Sequence, residues 1–158
     1  MYDAEYQFAF GVSPCKALGH TLRTRSWHCL HCNPASYAFQ ERHYKKGYVY
    51  IAFSNRLNLI KVGTCSNIKS RNKSLQSQNY GGSDDWQISL YTFFEEDAGK
   101  IEGLVQSELK PYFVSKSYLR DGFKRVSYEI FDYGVEAAWQ VLKKYKKQAW
   151  NTSMLKNG

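Results

Sequence analysis

The chain has 158 residues, which is enough for one well-buried core or for one core plus a small stapled module, and too few for two full domains. Its net charge is +8, and residues 137–158 contribute five lysines and no acidic residue. A basic chain with 13 tyrosines and 4 tryptophans favours a polyanionic partner, because neutralising phosphates releases counterions. The structural alternative is a solvated basic helix face.

The sequence has no apolar run of about 18 residues, which excludes a membrane-spanning helix. Its first ten residues, "MYDAEYQFAF", have neither a basic region nor a long apolar stretch, so no secretory signal is expected. Both features predict a cytoplasmic protein. In that compartment the four cysteines are expected to be thiols or metal ligands rather than disulfides.

The first part of the chain, residues 1–44, is predicted to be a zinc-binding module. Three of the four cysteines and three of the four histidines lie in "CKALGHTLRTRSWHCLHC", residues 15–32. A C-x-x-C pair can hold Zn²⁺ from a single turn, and a short polar segment gains folding energy from a metal. The expected ligands of a structural Zn²⁺ are Cys15, His20, Cys29 and Cys32. His28 and His31 are competitors for the histidine position.

The same segment holds a basic and aromatic loop, in which Arg23 and Arg25 precede Trp27. Arginine and an aromatic ring close together are suited to phosphate and nucleic acid, so both arginines are candidate nucleic-acid contacts. An ordinary solvent-exposed loop is an equal alternative.

The second part of the chain, residues 45–150, alternates between strand and helix patterns, and residues 151–158 are expected to form a tail. The expected elements are a hairpin over 48–62, a helix over 66–79, a strand over 86–94, a helix over 95–112, a strand over 124–133 and a helix over 135–150. This order predicts an α/β (α+β) sandwich with a small, mostly antiparallel sheet flanked by helices.

Two charged residues lie on apolar helix stripes. Arg71 falls between Ile68 and Leu75, and Glu102 holds the corresponding position in the next helix. A charge on a core-facing stripe needs a counter-charge, a metal or a ligand. This argument favours a functional role for Arg71 and leaves Glu102 open between function and structure.

The last predicted helix places its apolar residues inward and its lysines outward. These lysines form the densest basic stretch of the chain, and they are candidate nucleic-acid contacts: Lys143, Lys144, Lys146 and Lys147.

Taken in order, several short motifs resemble the GIY-YIG nuclease superfamily. "GYVYI", residues 47–51, stands where its first motif begins, and "KVG", residues 61–63, stands where its second motif does. Arg71 follows early in the next helix, and "DAGKIE" and "YEIF" are similar to later motifs of a restriction-like and phage-associated branch. The resemblance covers roughly residues 45–140 and implies a three-stranded central sheet, with the order of the motifs more specific than any one of them.

This resemblance implies a divalent-metal-dependent endonuclease that hydrolyses phosphodiester bonds of DNA, with duplex DNA as the expected substrate. Tyr50 would be the general base or would orient the attacking water, and Tyr48 competes for that role. Lys61 and Arg71 would stabilise the phenolate and the scissile phosphate. Glu129 would hold Mg²⁺ or Mn²⁺ through a carboxylate oxygen.

Some assignments stay open at this point. A histidine that the family often carries beyond its arginine is absent, and Tyr48, His43 or Tyr80 are the candidates to replace it. Glu136 is the alternative to Glu129. A homodimer is one way for a single active centre per chain to cut both strands.

Two other classes of function compete with the nuclease. One is a catalytically silent, zinc-containing nucleic-acid-binding protein on the same fold. The other is a protein-interaction module in which the zinc segment only caps the core. Restriction or phage defence is the expected setting of the nuclease.

Overall fold

The computed structural model describes residues 8–9, 11–24 and 27–156. The chain divides into two compact units, residues 1–45 and 46–158. In chain order the helices and strands are β1 (Phe8–Ala9), β2 (Arg23–Thr24), α1 (Pro34–Tyr44), β3 (Gly47–Ser54), β4 (Leu59–Cys65), α2 (Ile68–Ser77), β5 (Gln87–Phe94), α3 (Ala98–Glu108), β6 (Lys116–Arg120), β7 (Phe123–Ser127), β8 (Ile130–Phe131) and α4 (Val135–Lys156). Short 3₁₀ turns lie at Tyr80–Gly82 and Lys110–Tyr112.

The first unit contains an antiparallel pair, β1 with β2, and the helix α1. The Asn33 side chain caps this helix by accepting a hydrogen bond from the Ser36 amide at 3.2 Å, and Pro34 occupies its first position. Sequence analysis assigned no helix here, because the apolar residues of α1 do not gather on one face.

The second unit is built around an antiparallel sheet with strand order β5-β3-β4-β8, which has four strands in the described part of the chain. This confirms the predicted α+β class with a small antiparallel sheet flanked by helices. The three longer strands are those expected, and the fourth, β8, adds two residues beside β4.

Side chains alternate between the two faces of this sheet, as the period of a strand requires. On one face, β3 and β4 pack with α3 and α4 around Val49, Ile51 and Val62. On the other face, Tyr50 packs with Leu75 of α2 and with neighbouring apolar side chains. Tyr50 therefore points to the α2 side of the sheet.

The expected strand over 124–133 is divided in the structure. Its first part, β7, pairs with β6 as a separate two-stranded ribbon, and only Ile130–Phe131 joins the central sheet. The reason is the Asp121-Gly122 dipeptide, whose φ angles of 53° and 78° form a tight hairpin turn between β6 and β7.

Helix boundaries differ from the expected ones in three places. The helix α2 begins after Asn67, whose side chain accepts a hydrogen bond from the Ser70 amide at 2.9 Å, rather than at residue 66. The helix α3 begins at Ala98, so the acidic residues of 95–97 precede it. The helix α4 runs to Lys156, which makes most of the expected tail 151–158 helical.

None of the helices in the described part of the chain has the length and apolarity that a bilayer crossing requires.

Candidate functional site

The four side chains predicted as zinc ligands lie together in the first unit. They are Cys15, His20, Cys29 and Cys32, and their ligand atoms all lie within 4.8 Å of one another. His20 Nδ1 lies 3.8, 3.6 and 3.5 Å from the three sulfur atoms in that order, and the sulfurs of Cys15 and Cys32 are 3.8 Å apart. A tetrahedron around Zn²⁺ with bonds of about 2.3 Å has edges of about 3.8 Å. The cluster therefore has the donor types and the spacing to bind zinc.

Local backbone turns set the thiols in place and perturb their acidity. The Leu18 amide donates to Cys15 Sγ at 3.4 Å, and this hydrogen bond lowers the pKa of Cys15 to about 5. The neighbouring thiols of Cys29 and Cys15 raise the pKa of Cys32 to about 11. Neighbouring thiolates repel one another unless a cation neutralises their charge, and a bound Zn²⁺ ion would supply that positive charge.

The competing histidines lie outside this cluster in the described residues. The ring of His31 stacks beside the ring of His20 at a centroid distance of 4.5 Å, and the backbone amide of His28 donates to Thr24 Oγ1 at 3.2 Å. Both side chains are exposed.

The loop predicted to contact phosphate is partly engaged within its own unit. Arg23 Nη2 donates to the carbonyl of Ser13 at 3.0 Å, and Arg23 Nη1 is buried without a hydrogen-bond partner among the described residues. Arg25 lies outside the described residues. Trp27 is 61% exposed.

In the second unit, Tyr50 and Gly63 are directly opposite each other on β3 and β4. Tyr50 is buried, and its ring lies over Gly63 so closely that a Cβ at position 63 would be 2.5 Å from Tyr50 Oη. The glycine after Lys61-Val62 is therefore required by the tyrosine ring. Tyr50 Oη makes no hydrogen bond to any described residue.

Lys61 lies on the same face of β4 as Gly63, two residues before it, and is buried. Its ammonium forms an ion pair with Glu129, which directly precedes β8 and whose carbonyl accepts a hydrogen bond from the Val62 amide at 3.2 Å. Tyr80 contacts both members of this ion pair. Its hydroxyl donates to Glu129 Oε2 at 3.4 Å, and the centroid of the Tyr80 ring lies 4.6 Å from Lys61 Nζ. A cation, a carboxylate and two phenols thus meet at the β4–β8 edge.

Arg71 lies on α2, on the same side of the sheet as Tyr50. Burial raises the pKa values of Tyr50, Cys65 and Glu102, and the positive charge of Arg71 partly opposes each of these increases. The half-buried guanidinium forms neither a hydrogen bond nor an ion pair with a described residue. This leaves its planar fork available to a ligand.

Glu102 contacts Thr64 of β4 from α3, on the face of the sheet opposite Tyr50, and lies within electrostatic range of Glu129, Lys61 and Arg71. Its carboxylate accepts hydrogen bonds from Thr64 Oγ1 and Gln106 Nε2, both at 3.2 Å, and Gln106 also donates to the Val62 carbonyl at 3.0 Å. Burial, followed by the negative charge of Glu129, raises the pKa of Glu102 to about 7. No described cation lies within ion-pair distance of it. Sequence analysis left this residue open, and the structure brings it to the other charged side chains.

The electrostatics of Tyr50 differ from the expectation that nearby cations favour its phenolate. Burial raises the pKa of Tyr50 well above its usual value, and the opposing effect of Arg71 is smaller. The negative charge of Glu129 raises it further. The side chain is therefore a neutral phenol in the chain by itself.

Two other predicted residues lie elsewhere. The ring of Tyr48 packs edge-on against Tyr91 and Phe93 of β5, at centroid distances of 5.7 and 5.1 Å. Glu136 is exposed on α4 and accepts a hydrogen bond from Gln140 at 2.9 Å.

Four lysines of α4 are predicted nucleic-acid contacts: Lys143, Lys144, Lys146 and Lys147. Lys144 forms an ion pair with Glu108 at 2.7 Å. Lys146 is half-buried rather than outward, because its ammonium donates to the Phe93 carbonyl on the edge strand β5. The other two are exposed.

Comparison with known proteins identifies the family. The chain belongs to the T5orf172 domain family, whose model matches residues 47–146. This is a phage-associated domain of a nuclease-related group, so the family indicates a nuclease-like or DNA-binding function. No curated protein and no solved structure matches the chain.

Proposed function

We propose that the protein is a divalent-metal-dependent endonuclease of the GIY-YIG type, which hydrolyses phosphodiester bonds of DNA. The observation that carries this proposal is that five side chains from separate elements and loops lie within electrostatic range of one another: Tyr50, Lys61, Arg71, Glu102 and Glu129. Two carboxylates, two cations and a phenol are the groups that phosphodiester hydrolysis needs.

Arg71 binds the scissile phosphate in this proposal. Its guanidinium is always charged, and its planar fork matches two phosphate oxygens. The absence of a hydrogen-bond partner among the described residues supports this role, since a half-buried guanidinium without one is poorly satisfied. Lys61 is held by Glu129 and positions that carboxylate.

Glu129 holds Mg²⁺ or Mn²⁺ in the proposal, and Glu102 is the second carboxylate of the same cation site. Glu102 fits this role because its charge is opposed by burial and by Glu129, with no described cation paired to it. A divalent ion near both carboxylates removes that penalty. When bound, the ion supplies positive charge that stabilises the pentavalent phosphate and the leaving oxygen.

Tyr50 acts on the attacking water. Its hydroxyl orients the water. Once the positive charge beside it exceeds that of Arg71 alone, the phenol releases its own proton to solvent, and the resulting phenolate accepts the proton of the attacking water. The water oxygen then bonds to phosphorus as one P–O ester bond breaks, and solvent protonates the leaving oxygen. Tyr80 takes the place of the absent histidine, because it contacts both Glu129 and Lys61.

Each chain supplies one such centre, so cutting both strands takes two chains or two turnovers. A homodimer is the proposed form for duplex cleavage. Linear product that appears without nicked plasmid supports a dimer, and nicked plasmid that accumulates first supports successive turnovers.

The experiment is an assay of the full chain on plasmid, linear duplex, single-stranded DNA and RNA, with Mg²⁺, Mn²⁺ or no added divalent ion. Tyr50→Phe, Arg71→Ala, Glu102→Gln and Glu129→Gln are each expected to lower the cleavage rate by about 10²-fold or more. Glu136→Gln and Tyr91→Phe are matched controls on exposed positions and are expected to cut like the unmodified chain.

A second candidate is the catalytically silent nucleic-acid-binding protein. The ion pair between Lys61 and Glu129 favours it, because that pair neutralises the predicted metal-binding acid. Binding of duplex DNA without cleavage under either metal ion supports this candidate. Cleavage that Glu129→Gln leaves unchanged rejects the assignment of Glu129 to the metal.

A further inference from the structure

The ribbon formed by β6 and β7 stands apart from the central sheet in the described part of the chain. Its five residue pairs run from Lys116 opposite Ser127 to Arg120 opposite Phe123, and the Asp121-Gly122 turn closes it. At about 3.4 Å per residue, each strand is about 17 Å long. The tight turn fixes the register of the two strands along this length.

The ribbon is rich in cations. The ribbon contains one acidic residue, Asp121, and four basic residues: Lys116, Arg120, Lys124 and Arg125. The ion pair between Asp121 and Arg120 has an N–O distance of 3.8 Å and is exposed to solvent. An exposed pair of this kind contributes little. The excess positive charge therefore remains available to a polyanion.

The ribbon also exposes large apolar side chains near its tip. Leu119 is 67% exposed and Phe123 is 69% exposed, and they lie on opposite faces because Leu119 pairs with Lys124 while Phe123 pairs with Arg120. Each apolar tip residue thus has a basic partner on its own face. Exposed apolar side chains grouped with basic ones indicate an interaction surface rather than a hairpin that contacts only solvent.

The root of the ribbon touches the candidate catalytic centre. Tyr118 of β6 lies 5.1 Å from Tyr80 between ring centroids, and Tyr80 contacts both Glu129 and Lys61. Ser127 ends β7 and both donates to the Lys116 carbonyl and accepts from its amide at 3.2 Å. A ligand that binds along the ribbon would therefore lie next to the candidate catalytic centre.

We propose that the β6–β7 ribbon is a DNA-binding arm that enters the major groove of a duplex beside the bond to be cut. The face that carries Arg120, Phe123 and Arg125 turns to the base edges and the adjoining phosphates, and Lys124, on the opposite face with Leu119, binds a phosphate. The placement of the arm beside the scissile bond rests on the proposed function. The claim that the arm binds DNA rests only on the side chains of the ribbon.

The dimensions and chemistry fit this occupant. A B-form major groove is about 12 Å wide and about 8.5 Å deep and admits a two-stranded ribbon. Arginine reads guanine there, and apolar side chains contact the thymine methyl group. The major groove of A-form RNA is too narrow for side chains to read, so duplex RNA is the poorer ligand.

The experiment measures binding rather than cleavage, by fluorescence anisotropy of a labelled DNA duplex without added divalent ion. Arg125→Ala is expected to weaken binding about tenfold and to reduce the slope of log K against log salt by about 1. Phe123→Ser is expected to weaken binding several-fold with the salt slope unchanged. Lys100→Ala and Leu104→Ser are matched controls on exposed positions of α3, and both are expected to bind like the unmodified chain.

A third variant replaces Leu119–Lys124 by Asn-Gly, which shortens the ribbon while keeping its turn chemistry. Methylation of guanine N7 marks the major groove, so methylation at the ribbon's position is expected to block binding of the unmodified chain and not of the shortened one. Circular dichroism and thermal melting establish that each variant folds.

Equal binding by all ribbon variants and controls overturns the inference, even where the chain cleaves DNA. A loss of binding limited to the ribbon variants supports it, even where no cleavage occurs, so the arm and the catalytic centre are tested separately. A loss of self-association in the shortened variant with unchanged DNA affinity also overturns it, because the ribbon then pairs with a second copy of the chain. Stronger binding to duplex RNA than to duplex DNA rejects the major-groove mode.

Discussion

Substitution of Gly63 by alanine tests the packing that holds Tyr50 in the candidate site. The added Cβ would lie 2.5 Å from Tyr50 Oη, 2.7 Å from Cζ and 3.1 Å from Cε1. These are ring atoms of a side chain that is 1% exposed and packed against Leu75 and Trp86, so they cannot move aside freely. Forcing one carbon into such a contact costs about 1–3 kcal/mol.

For a unit of about 110 residues, the entropy of unfolding is about 0.23 kcal/mol/K, from about 2.1 cal/mol/K per residue. Gly63→Ala is therefore expected to lower its Tm by about 4–13 °C. Thermal and urea unfolding followed by tryptophan fluorescence measures this, since three of the four tryptophans lie in residues 46–158. Gly103→Ala is the control, because its Cβ meets nothing within 4 Å and alanine favours the interior of α3 by about 0.5–1 kcal/mol.

A double-mutant cycle identifies the contact. Tyr50→Phe removes the closest atom, so the destabilisation by Gly63→Ala is expected to be at least about 0.5 kcal/mol smaller in that background. A free energy of unfolding within about 0.5 kcal/mol of the unmodified chain for Gly63→Ala, or the same loss in both backgrounds, refutes the argument.

Two further predictions concern Glu102 and the zinc ligands. The pKa of Glu102 is raised in the folded chain to about 7, so between about pH 4.5 and 7 the folded state keeps a proton that the unfolded state loses. The free energy of unfolding therefore falls as pH rises through that window, by about 3 kcal/mol in total. Glu102→Gln is expected to remove this fall in urea titrations without added divalent ion, and parallel pH profiles for the two chains contradict it. Cys29→Ser is expected to reduce the bound zinc from one ion per chain to none, measured by atomic emission, whereas Cys65→Ser, outside the cluster, keeps it. Zinc retained by Cys29→Ser refutes the ligand set.

The parts of the fold that sequence could predict are those with a local pattern. The apolar runs Tyr48–Phe53 and Leu59–Val62 gave the two central strands, because a strand covered on both faces is apolar along its length. The stripe through Ile68 and Leu75 gave α2, because one side of that helix packs on the sheet. The helix α1 has no apolar stripe, and only the Asn33-Pro34 pair carried a signal for its start.

The ribbon was missed although its signal was present. Asp121-Gly122 is a strong hairpin dipeptide flanked by alternating residues, but the segment 124–133 also reads as one continuous strand. The Asp121-Gly122 turn pairs the first part of that segment with β6, and only Ile130–Phe131 joins the central sheet.

The candidate site was harder to predict than the fold, because its members are distant in sequence. Lys61 and Glu129 are 68 residues apart, and no local pattern relates them. The order of the short motifs along the chain nevertheless identified both Lys61 and Glu129 as candidates. The position of Glu102 depends on how α3 crosses β4, which the spacing of apolar residues along α3 does not specify.

The proposed DNA-binding arm and the acid that follows it are held by different contacts. Ser127 anchors the end of β7 to Lys116, while Glu129, two residues later, is held by the Lys61 ion pair and by its backbone bond to Val62. Because these anchors lie at the root of the ribbon, we expect substitutions at its tip to leave Glu129 in place. If both proposals hold, substitutions at the tip change affinity for the duplex and leave the rate of the chemical step unchanged.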